Sequence, residues 1–382
     1  MATGDIWLRI CSAIWPGSWY CSPAPCQCGK TTLVKSLLDA RGAYLNWDIS
    51  ADRKIIREVA WPKDASLVIL DELHKAPKWK NLLKGVIDEF GNRPPLLVTG
   101  SARLDAFRNT GDALTGRTYF YRLHPIDVTE SRAFLPAVKL EDRVTRLLQA
   151  GGFPESLLNP ADAARLRNDR MELVTREDLM DLSRLNSWRG ASDLMELLRE
   201  SVGRPVSYDS LARTLGISPP TVKNWVSLLE KLYLIFLLPP YSNRLSRSIR
   251  KERRVYFYDS AAAYDESSGA QLDNLVASAL LKFVQFRKDT AGENRELYDL
   301  RDKEQREVDF LLTLNRRVDT LIEVKSADAD LSKSLQYYSE RLRPRESIQL
   351  VWHLDRPREK SGLKVLPLGK WLESLPYDSF AD

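Results

Sequence analysis

The stretch Cys28-Gly29-Lys30-Thr31-Thr32 runs directly into apolar residues at helical spacing, Leu33, Val34, Leu37 and Leu38. Gly-Lys-Thr at the start of a predicted helix is typical of the end of a phosphate-binding loop. In such a loop the lysine reaches the β- and γ-phosphates of a nucleotide, and the hydroxyl of the next residue ligates Mg²⁺. We assign these two roles to Lys30 and Thr31, and we predict an α/β domain built around this loop.

The segment before the loop departs from this pattern. The full pattern has a glycine five residues before Gly29, where this chain has Ala24, and residues 15–25 are a poor candidate for the preceding β-strand. If Ser18 has an AGY codon, a reading frame two nucleotides later can encode Ala-Gly-Lys-Leu-Val-Leu-Leu-Ala-Gly-Pro, which supplies both a strand and the glycine. We therefore hypothesise that residues 1 to about 26 are the product of a one-nucleotide frame slip. A divergent N-terminus is the alternative.

An acidic pair follows the next strongly apolar segment. Leu67-Val68-Ile69-Leu70 ends in Asp71 and Glu72, about 40 residues after Gly-Lys-Thr. A buried parallel strand of this form delivers its last side chains to the carboxyl edge of the sheet. At that edge Asp71 would hold Mg²⁺ through water, and Glu72 would polarise the attacking water.

Two more residues are candidates for contacts with the γ-phosphate. The apolar strand at 96–99 leads into Ser101, which we assign as a γ-phosphate sensor; a plain strand-ending turn is the alternative. Arg117 follows a glycine and would act as an arginine finger on the developing phosphoryl charge. A surface arginine in a turn explains it nearly as well.

Together these motifs resemble a family of prokaryotic AAA-type ATPases, in which an N-terminal ATPase core is fused to a C-terminal domain of unknown function. The family pattern is Gly-Pro-Arg-Gln-x-Gly-Lys-Thr-Thr, Leu-Asp-Glu-x-His/Gln, Thr-Gly-Ser, and Gly-Arg before Leu-x-Pro. This chain matches it from Gln27 to about residue 330, and the mismatch is confined to the segment before Gln27. The resemblance implies ATP and Mg²⁺ as ligands. It extends the nucleotide-binding set to Pro25, Gln27, Cys28, Gly29, Lys30, Thr31, Thr32 and Asp71.

Composition excludes several other classes of protein. The chain has 382 residues, 57 Lys and Arg against 52 Asp and Glu, and a formal charge of +5, which is too mild to argue for nucleic acid on its own. All four cysteines fall within the first 28 residues, so a disulfide framework is not expected and a zinc site is only weakly indicated. Without a membrane-length apolar stretch or a secretory signal, we expect a soluble, cytoplasmic protein.

A helix-turn-helix pattern begins near residue 206. Two helical segments flank a glycine-containing turn, and Ser218 stands as an N-cap before the second. An apolar strand at 233–238 then suggests a winged form. Lys223 and Asn224 on the second helix would approach base edges, and a basic strip would neutralise phosphates through Arg244, Arg247, Arg250 and Lys251. A protein-contact module with a solvated basic loop is the alternative.

The last segment has the order of acids found in the restriction-endonuclease-like fold. Asp273 lies on a predicted helix, Asp309 on a strand, and Glu323 and Lys325 on one face of the next strand. Asp309 and Glu323 would bind Mg²⁺, and Lys325 would position or activate water. Many domains with this fold retain the acids and the lysine without cleaving nucleic acid, so nuclease activity is left open.

We therefore predict an α/β protein with an AAA-type P-loop ATPase core at 1–130, a helical lid or connection at 131–200, a winged helix-turn-helix at 201–262 and a restriction-endonuclease-like α/β domain at 263–382. ATP binding and hydrolysis would control the C-terminal modules, which would act on DNA. One alternative is an ATP-dependent protein-interaction module with an inactive nuclease-like domain. The other is an inactive product, if the N-terminus is genuinely altered and Ala24 crowds the loop.

Overall fold

The computed structural model describes residues 19–23, 25, 27–91, 93–100, 118–174, 188–242, 252–263, 268–354 and 356–377. It divides into two compact units. The first contains Met1–Pro125 and Lys231–Tyr233, and the second contains Ile126–Glu230 and Leu234–Asp382. Several sequence predictions lie outside the described residues: those for residues 1–18, Ala24, Ser101, Arg117, Arg244, Arg247, Arg250 and Lys251.

The first unit contains a parallel sheet of five strands in the order β2-β3-β4-β1-β5. The strands are β1 (Trp19–Pro23), β2 (Ala43–Asn46), β3 (Val68–Asp71), β4 (Leu96–Gly100) and β5 (Thr118–Phe120). Four-residue strands that are buried throughout, as β3 is, match the apolar runs expected of a parallel sheet covered on both faces. The predicted strands at 67–70 and 96–99 are confirmed.

Strand β1 corrects one expectation from the sequence. Residues 19–23 do form a strand, which pairs in parallel with β4 on one side and β5 on the other. Pro23 is the last residue of β1 and Pro25 lies beyond it, so the missing proline N–H groups do not interrupt the interior of the strand. The backbone of the first core strand is therefore present in this chain. The frame-slip hypothesis stays a prediction.

The helices of the first unit are α1 (Lys30–Ser36), α2 (Ser50–Glu58) and α3 (Trp79–Phe90), with a 3₁₀ turn at Leu73–Lys75. They cover the sheet with side chains that are almost fully buried, among them Ile56, Leu73, Leu83 and Val86. Each such side chain contributes about 1.5–3 kcal/mol on burial. This packing fixes the carboxyl edge of the sheet, where the predicted site residues lie.

The second unit begins with helices α4 (Val128–Phe134), α5 (Leu140–Ala150), α6 (Pro154–Leu158), α7 (Ala163–Leu173) and α8 (Trp188–Glu200). The segment predicted to be a helix-turn-helix contains two helices, α9 (Tyr208–Leu215) and α10 (Pro219–Lys231). Gly216 ends α9 in the left-handed region at φ 67°, and the backbone N–H of Thr221 donates to Ser218 Oγ at 3.3 Å. Strands β6 (Ile235–Leu238) and β7 (Arg254–Phe257) then pair antiparallel.

The C-terminal part of the second unit is a mixed sheet of six strands in the order β12-β13-β11-β10-β9-β8. They are β8 (Arg295–Arg301), β9 (Glu307–Leu314), β10 (Arg317–Ala327), β11 (Glu346–His353), β12 (Arg358–Lys360) and β13 (Leu363–Pro367). Helices α11 (Ser268–Ala291), α12 (Lys333–Leu342) and α13 (Leu368–Glu373) pack with it.

Within the described ranges, no helix is both long enough and apolar enough to cross a membrane.

Candidate functional site

The loop before α1 has the backbone that the Gly-Lys-Thr motif requires. Gly29 has φ 87°, a left-handed conformation that glycine adopts without a steric penalty, and Gln27 has φ 59°. Lys30 is the first residue of α1, and its side chain turns back over the loop. Its Nζ donates to the carbonyl oxygen of Pro25 at 3.0 Å, and only 8% of the residue is exposed. The ammonium group is therefore held inside the loop, where a phosphate would compete for it.

Asp71 is the centre of the site and is fully buried at the end of β3. Thr31 Oγ1 donates to its Oδ2 at 2.8 Å, Tyr44 OH donates to the same oxygen at 2.7 Å, and Thr99 Oγ1 donates to Oδ1. The backbone N–H of Glu72 also donates to Oδ1, at 3.1 Å. Burial acts to raise the pKa of Asp71, but these hydrogen bonds outweigh it and lower the pKa. Asp71 is therefore an anion at neutral pH.

The sheet register explains why these groups meet. Asn46 lies opposite Asp71, and Leu70 lies opposite Val98 in the parallel ladders. Side chains alternate along a strand, so Tyr44 on β2, Asp71 on β3 and Thr99 on β4 share one face of the sheet. Thr31 reaches the same face from α1. The roles of Tyr44 and Thr99 are missed by sequence reasoning, although Thr99 is a polar residue at the end of the strand predicted at 96–99.

This donor set fits Mg²⁺. Magnesium prefers oxygen ligands and is usually held by one or two carboxylates together with substrate phosphates and water. Thr31 Oγ1 and Asp71 Oδ2 supply a hydroxyl and an anionic carboxylate oxygen 2.8 Å apart. The predicted pairing of Thr31 with Asp71 is thus present as a direct contact between residues 40 positions apart.

Glu72, the predicted base, has a different environment from its neighbour. Its backbone is left-handed at φ 57°, and Lys75 Nζ lies 3.4 Å from its Oε2. Lys75 is itself paired with Asp48 Oδ2 at 2.7 Å. Burial raises the pKa of Glu72, against the opposing charges of Lys75 and Lys30. A carboxyl group whose pKa is raised is a better proton acceptor than an ordinary glutamate when it is ionised.

The remaining residues of the predicted nucleotide-binding set line the same loop. Cys28 is buried, and its Sγ donates to the Leu123 carbonyl oxygen at 4.0 Å. Gln27 is exposed, and Thr32 is exposed on α1. Pro25 contributes the carbonyl oxygen that holds Lys30.

A second cluster of ionisable side chains lies in the second unit. Ile322 on β10 lies opposite Phe310 on β9, which makes Asp309 and Glu323 cross-strand neighbours on one face. Lys325 Nζ lies 2.8 Å from Glu323 Oε1, and the backbone N–H of Val324 donates to Asp309 Oδ2 at 2.8 Å. The structure therefore brings together the strand-borne residues that the sequence singled out.

Burial and mutual repulsion dominate the electrostatics of this cluster. Burial raises the pKa of Glu323 to about 7, and the charge of Asp309 acts in the same direction. Burial, followed by repulsion from Asp309, raises the pKa of Asp273 on α11 well above its usual range. Among the described residues, no group of three or more His, Cys, Asp or Glu side chains has the arrangement of a metal site.

Arg254 belongs to this cluster and is missed by sequence reasoning. It lies on β7, and only 5% of its side chain is exposed. Its guanidinium faces Asp299, Glu307 and Asp309. The sequence gives no signal for this role, because Arg254 appears there as the end of a run of basic residues.

The two residues predicted to approach base edges, Lys223 and Asn224, are both exposed on α10.

Comparisons with known proteins divide the chain into three regions. Residues 25–131 match the family model described as an AAA domain, which indicates nucleotide binding, typically of Mg·ATP, and suggests ATPase activity. Residues 141–266 and 268–371 match two models described as domains of unknown function, DUF8612 and DUF4143. The chain thus has an α/β AAA-type P-loop domain followed by two domains of undefined role, which confirms the coarser part of the family resemblance.

Similar curated proteins are themselves uncharacterized. One from Methanocaldococcus jannaschii is 25% identical over 252 residues, which cover 57% of this chain and 52% of that protein. One from Mycobacterium tuberculosis is 22% identical over 242 residues, which cover 62% of this chain and 53% of that protein. The chain spans about half the length of these relatives.

Two solved structures illustrate the structural comparisons. A variant of Thermotoga maritima RuvB has a TM-score of 0.33 and 18% identity, covering 62% of this chain and 89% of its own. Cdc6p from Pyrobaculum aerophilum has a TM-score of 0.29 and 13% identity, covering 66% and 89%. TM-scores and identities this low support no conclusion about the function of this chain.

Proposed function

We propose that this chain binds Mg·ATP at the Lys30 loop and hydrolyses it to ADP and phosphate. The observation that carries the proposal is the contact between Thr31 Oγ1 and Asp71 Oδ2 at 2.8 Å, with Asp71 kept anionic by three further donors. An aspartate with a purely structural role would not need to be both buried and charged at a sheet edge next to a glycine-containing loop. Asp71 does need to be buried and charged there if it must bind a cation.

Each residue then has a chemical role. Lys30 exchanges the Pro25 carbonyl for the β- and γ-phosphates, which are stronger partners for an ammonium group. Thr31 and Asp71 hold Mg²⁺, which when bound neutralises phosphate charge. Glu72 orients the attacking water and accepts its proton. We assign Ser101 to γ-phosphate sensing and Arg117 to stabilisation of the transition state.

Turnover assays on the full chain test this proposal. Lys30→Ala should weaken ATP binding by about 10- to 150-fold and lower turnover as well. Glu72→Gln should retain binding but lower kcat by about 10²- to 10⁴-fold, the usual contribution of a general base. Asp88→Asn, on the exposed part of α3, is a matched acid-to-amide control that should leave turnover unchanged. Turnover by Glu72→Gln at the wild-type rate would remove Glu72 from the mechanism.

We further propose that nucleotide state controls the C-terminal modules, a winged helix-turn-helix at 201–262 and a restriction-endonuclease-like domain at 263–382, reached through the helical connection at 131–200. The capped α9–α10 pair and its following hairpin support the first assignment. The adjacent Asp309, Glu323 and Lys325 support the second. On this basis the modules would act on DNA, with Lys223 and Asn224 at base edges and the strip from Arg244 to Lys251 on phosphates.

The alternative is an ATP-dependent protein-interaction module whose nuclease-like domain is inactive. The engagement of Asp309 by Arg254 favours it. Salt-dependent binding of duplex DNA that is weakened by Lys223→Ala, and metal-dependent nicking that is lost in Asp309→Ala and Lys325→Ala, would support the DNA role. Absence of both, with nucleotide-dependent capture of a protein, would support the alternative.

A further inference from the structure

The backbone of Arg254 is fixed from two sides. It pairs with Leu238 in the β6–β7 ladder, and a separate bridge joins it to Pro205. The side chain of Arg254 can change its rotamer, but the Cα of Arg254 cannot move without breaking strand pairing on both sides. Arg254 is therefore part of the framework of this region.

The guanidinium of Arg254 meets carboxylates from two neighbouring strands. Its Nη2 lies 2.7 Å from Glu307 Oε2, and its Nη1 lies 3.9 Å from Asp309 Oδ1, both on β9. Its Nε lies 3.6 Å from Asp299 Oδ2 on β8. The planar fork of arginine suits such a task, because its donors point to several acceptors at once.

The acids that a metal would use are consequently engaged by groups of this chain. Asp309 Oδ2 accepts from the Val324 backbone, and Asp309 Oδ1 faces Arg254. Glu323 Oε1 accepts from Lys325. Glu323 Oε2 is buried and has no hydrogen-bond partner among the described residues, but one carboxylate oxygen is not a ligand set for a divalent ion. A cation placed beside Asp309 would also face the fixed charge of Arg254.

We propose that Arg254 takes the place of a divalent cation at Asp309, so that this nuclease-like cluster is a metal-independent framework and not a Mg²⁺ or Mn²⁺ site. The charges of Arg254 and Lys325 then neutralise the carboxylates of Asp309 and Glu323. This inference goes beyond the ATPase proposal and does not depend on it, because it concerns residues of the second unit alone. It favours a binding role over a cleaving role for this domain.

Titration of the full chain with Mn²⁺ in the absence of nucleotide, followed by the electron paramagnetic resonance of free Mn²⁺, tests the proposal. Wild type and Asp309→Asn should bind Mn²⁺ with equal affinity and stoichiometry. Loss of even an outer partner of a metal ligand costs about 10- to 100-fold in metal affinity, so a site that used Asp309 would reveal itself. A saturable Mn²⁺ site in wild type that is lost in Asp309→Asn would overturn the proposal.

The substitution Arg254→Gln provides a second test of the same proposal. The shorter, neutral side chain should create a Mn²⁺ site that wild type lacks, and Arg254→Gln/Asp309→Asn should remove it again. A folded Arg254→Gln that gains no site would show that the arginine is not what excludes the metal. If Arg254→Gln fails to fold, because it leaves buried carboxylates unpaired, the comparison of wild type with Asp309→Asn still decides the matter.

Discussion

Substitution of Tyr44 by phenylalanine removes one of the hydrogen bonds that hold Asp71, together with a longer one that the Tyr44 hydroxyl accepts from Asn46 Nδ2 at 3.3 Å. The Tyr44 hydroxyl donates to Asp71 Oδ2 at 2.7 Å, and the acceptor is fully buried. A hydrogen bond to a charged group contributes about 1.5–3 kcal/mol, and the ring with its contact to Lys35 Nζ at 4.3 Å is retained in phenylalanine. Tyr44→Phe should therefore lower the free energy of opening of the first unit by about 1.5–3 kcal/mol.

Native-state hydrogen exchange of the β3 amides measures this quantity directly. The expected loss corresponds to a roughly 10- to 150-fold fall in their protection factors. Tyr298→Phe is the matched control, since Tyr298 also donates to a carboxylate, Glu296, at 2.8 Å, but that acceptor is exposed. It should change the protection of the β8 amides by much less. Unchanged β3 protection in Tyr44→Phe would refute the account of how Asp71 is held.

Two further predictions concern Thr31 at the start of α1 and Glu230 on α10. Thr31→Val keeps the shape of the side chain but removes the hydroxyl that donates to Asp71 at 2.8 Å. The Mg²⁺ affinity of the ATP complex should fall by about 10- to 100-fold, while binding of ATP in the presence of EDTA changes little. Isothermal titration with and without Mg²⁺ would separate the effect on Mg²⁺ affinity from the effect on ATP binding. Burial raises the pKa of Glu230 above that of an ordinary glutamate, so the folded state disfavours its charged form. Stability therefore falls as the pH rises from the pKa of the unfolded chain through the higher pKa of the folded state. Glu230→Gln keeps an acceptor for the Leu237 N–H, which donates to Glu230 at 3.3 Å, and removes the charge. Hydrogen exchange of the α10 amides at pH 8 should therefore be slower than in wild type. Equal or faster exchange would contradict the burial argument.

Much of the first unit could be predicted from the sequence, because its signals are local and strong. A Gly-Lys-Thr loop needs a left-handed Gly29, and a run such as 67–70 has no stable position except a buried strand. The meeting of Thr31 with Asp71 then follows from sheet topology, since parallel strands place their carboxyl ends at one edge. Asp309 and Glu323 could be placed side by side for a different reason: their spacing of about 14 residues fits two strands joined by a turn, and β9 and β10 pair antiparallel.

The errors and omissions have a different origin. Three prolines and a glycine make residues 15–25 a poor candidate for a strand, yet residues 19–23 form β1, because pairing with β4 and β5 outweighs this local signal. Tyr44 and Arg254 act through contacts with residues 27 and 53 positions away, which no local pattern records. Such partners depend on tertiary packing, so they become visible only once the strands are assembled.

Equilibrium binding of Mg·ATP to the full chain, beside Lys30→Ala, tests the central claim most directly. Lys30 is buried in the loop and should exchange its Pro25 carbonyl for phosphate, so wild type should bind and Lys30→Ala should bind about 10- to 150-fold more weakly. A chain with the shifted N-terminal reading restored shows in addition whether residues 1 to about 26 impair the site. Equal affinities of wild type and Lys30→Ala, or no binding by either wild type or the restored chain, would contradict the account.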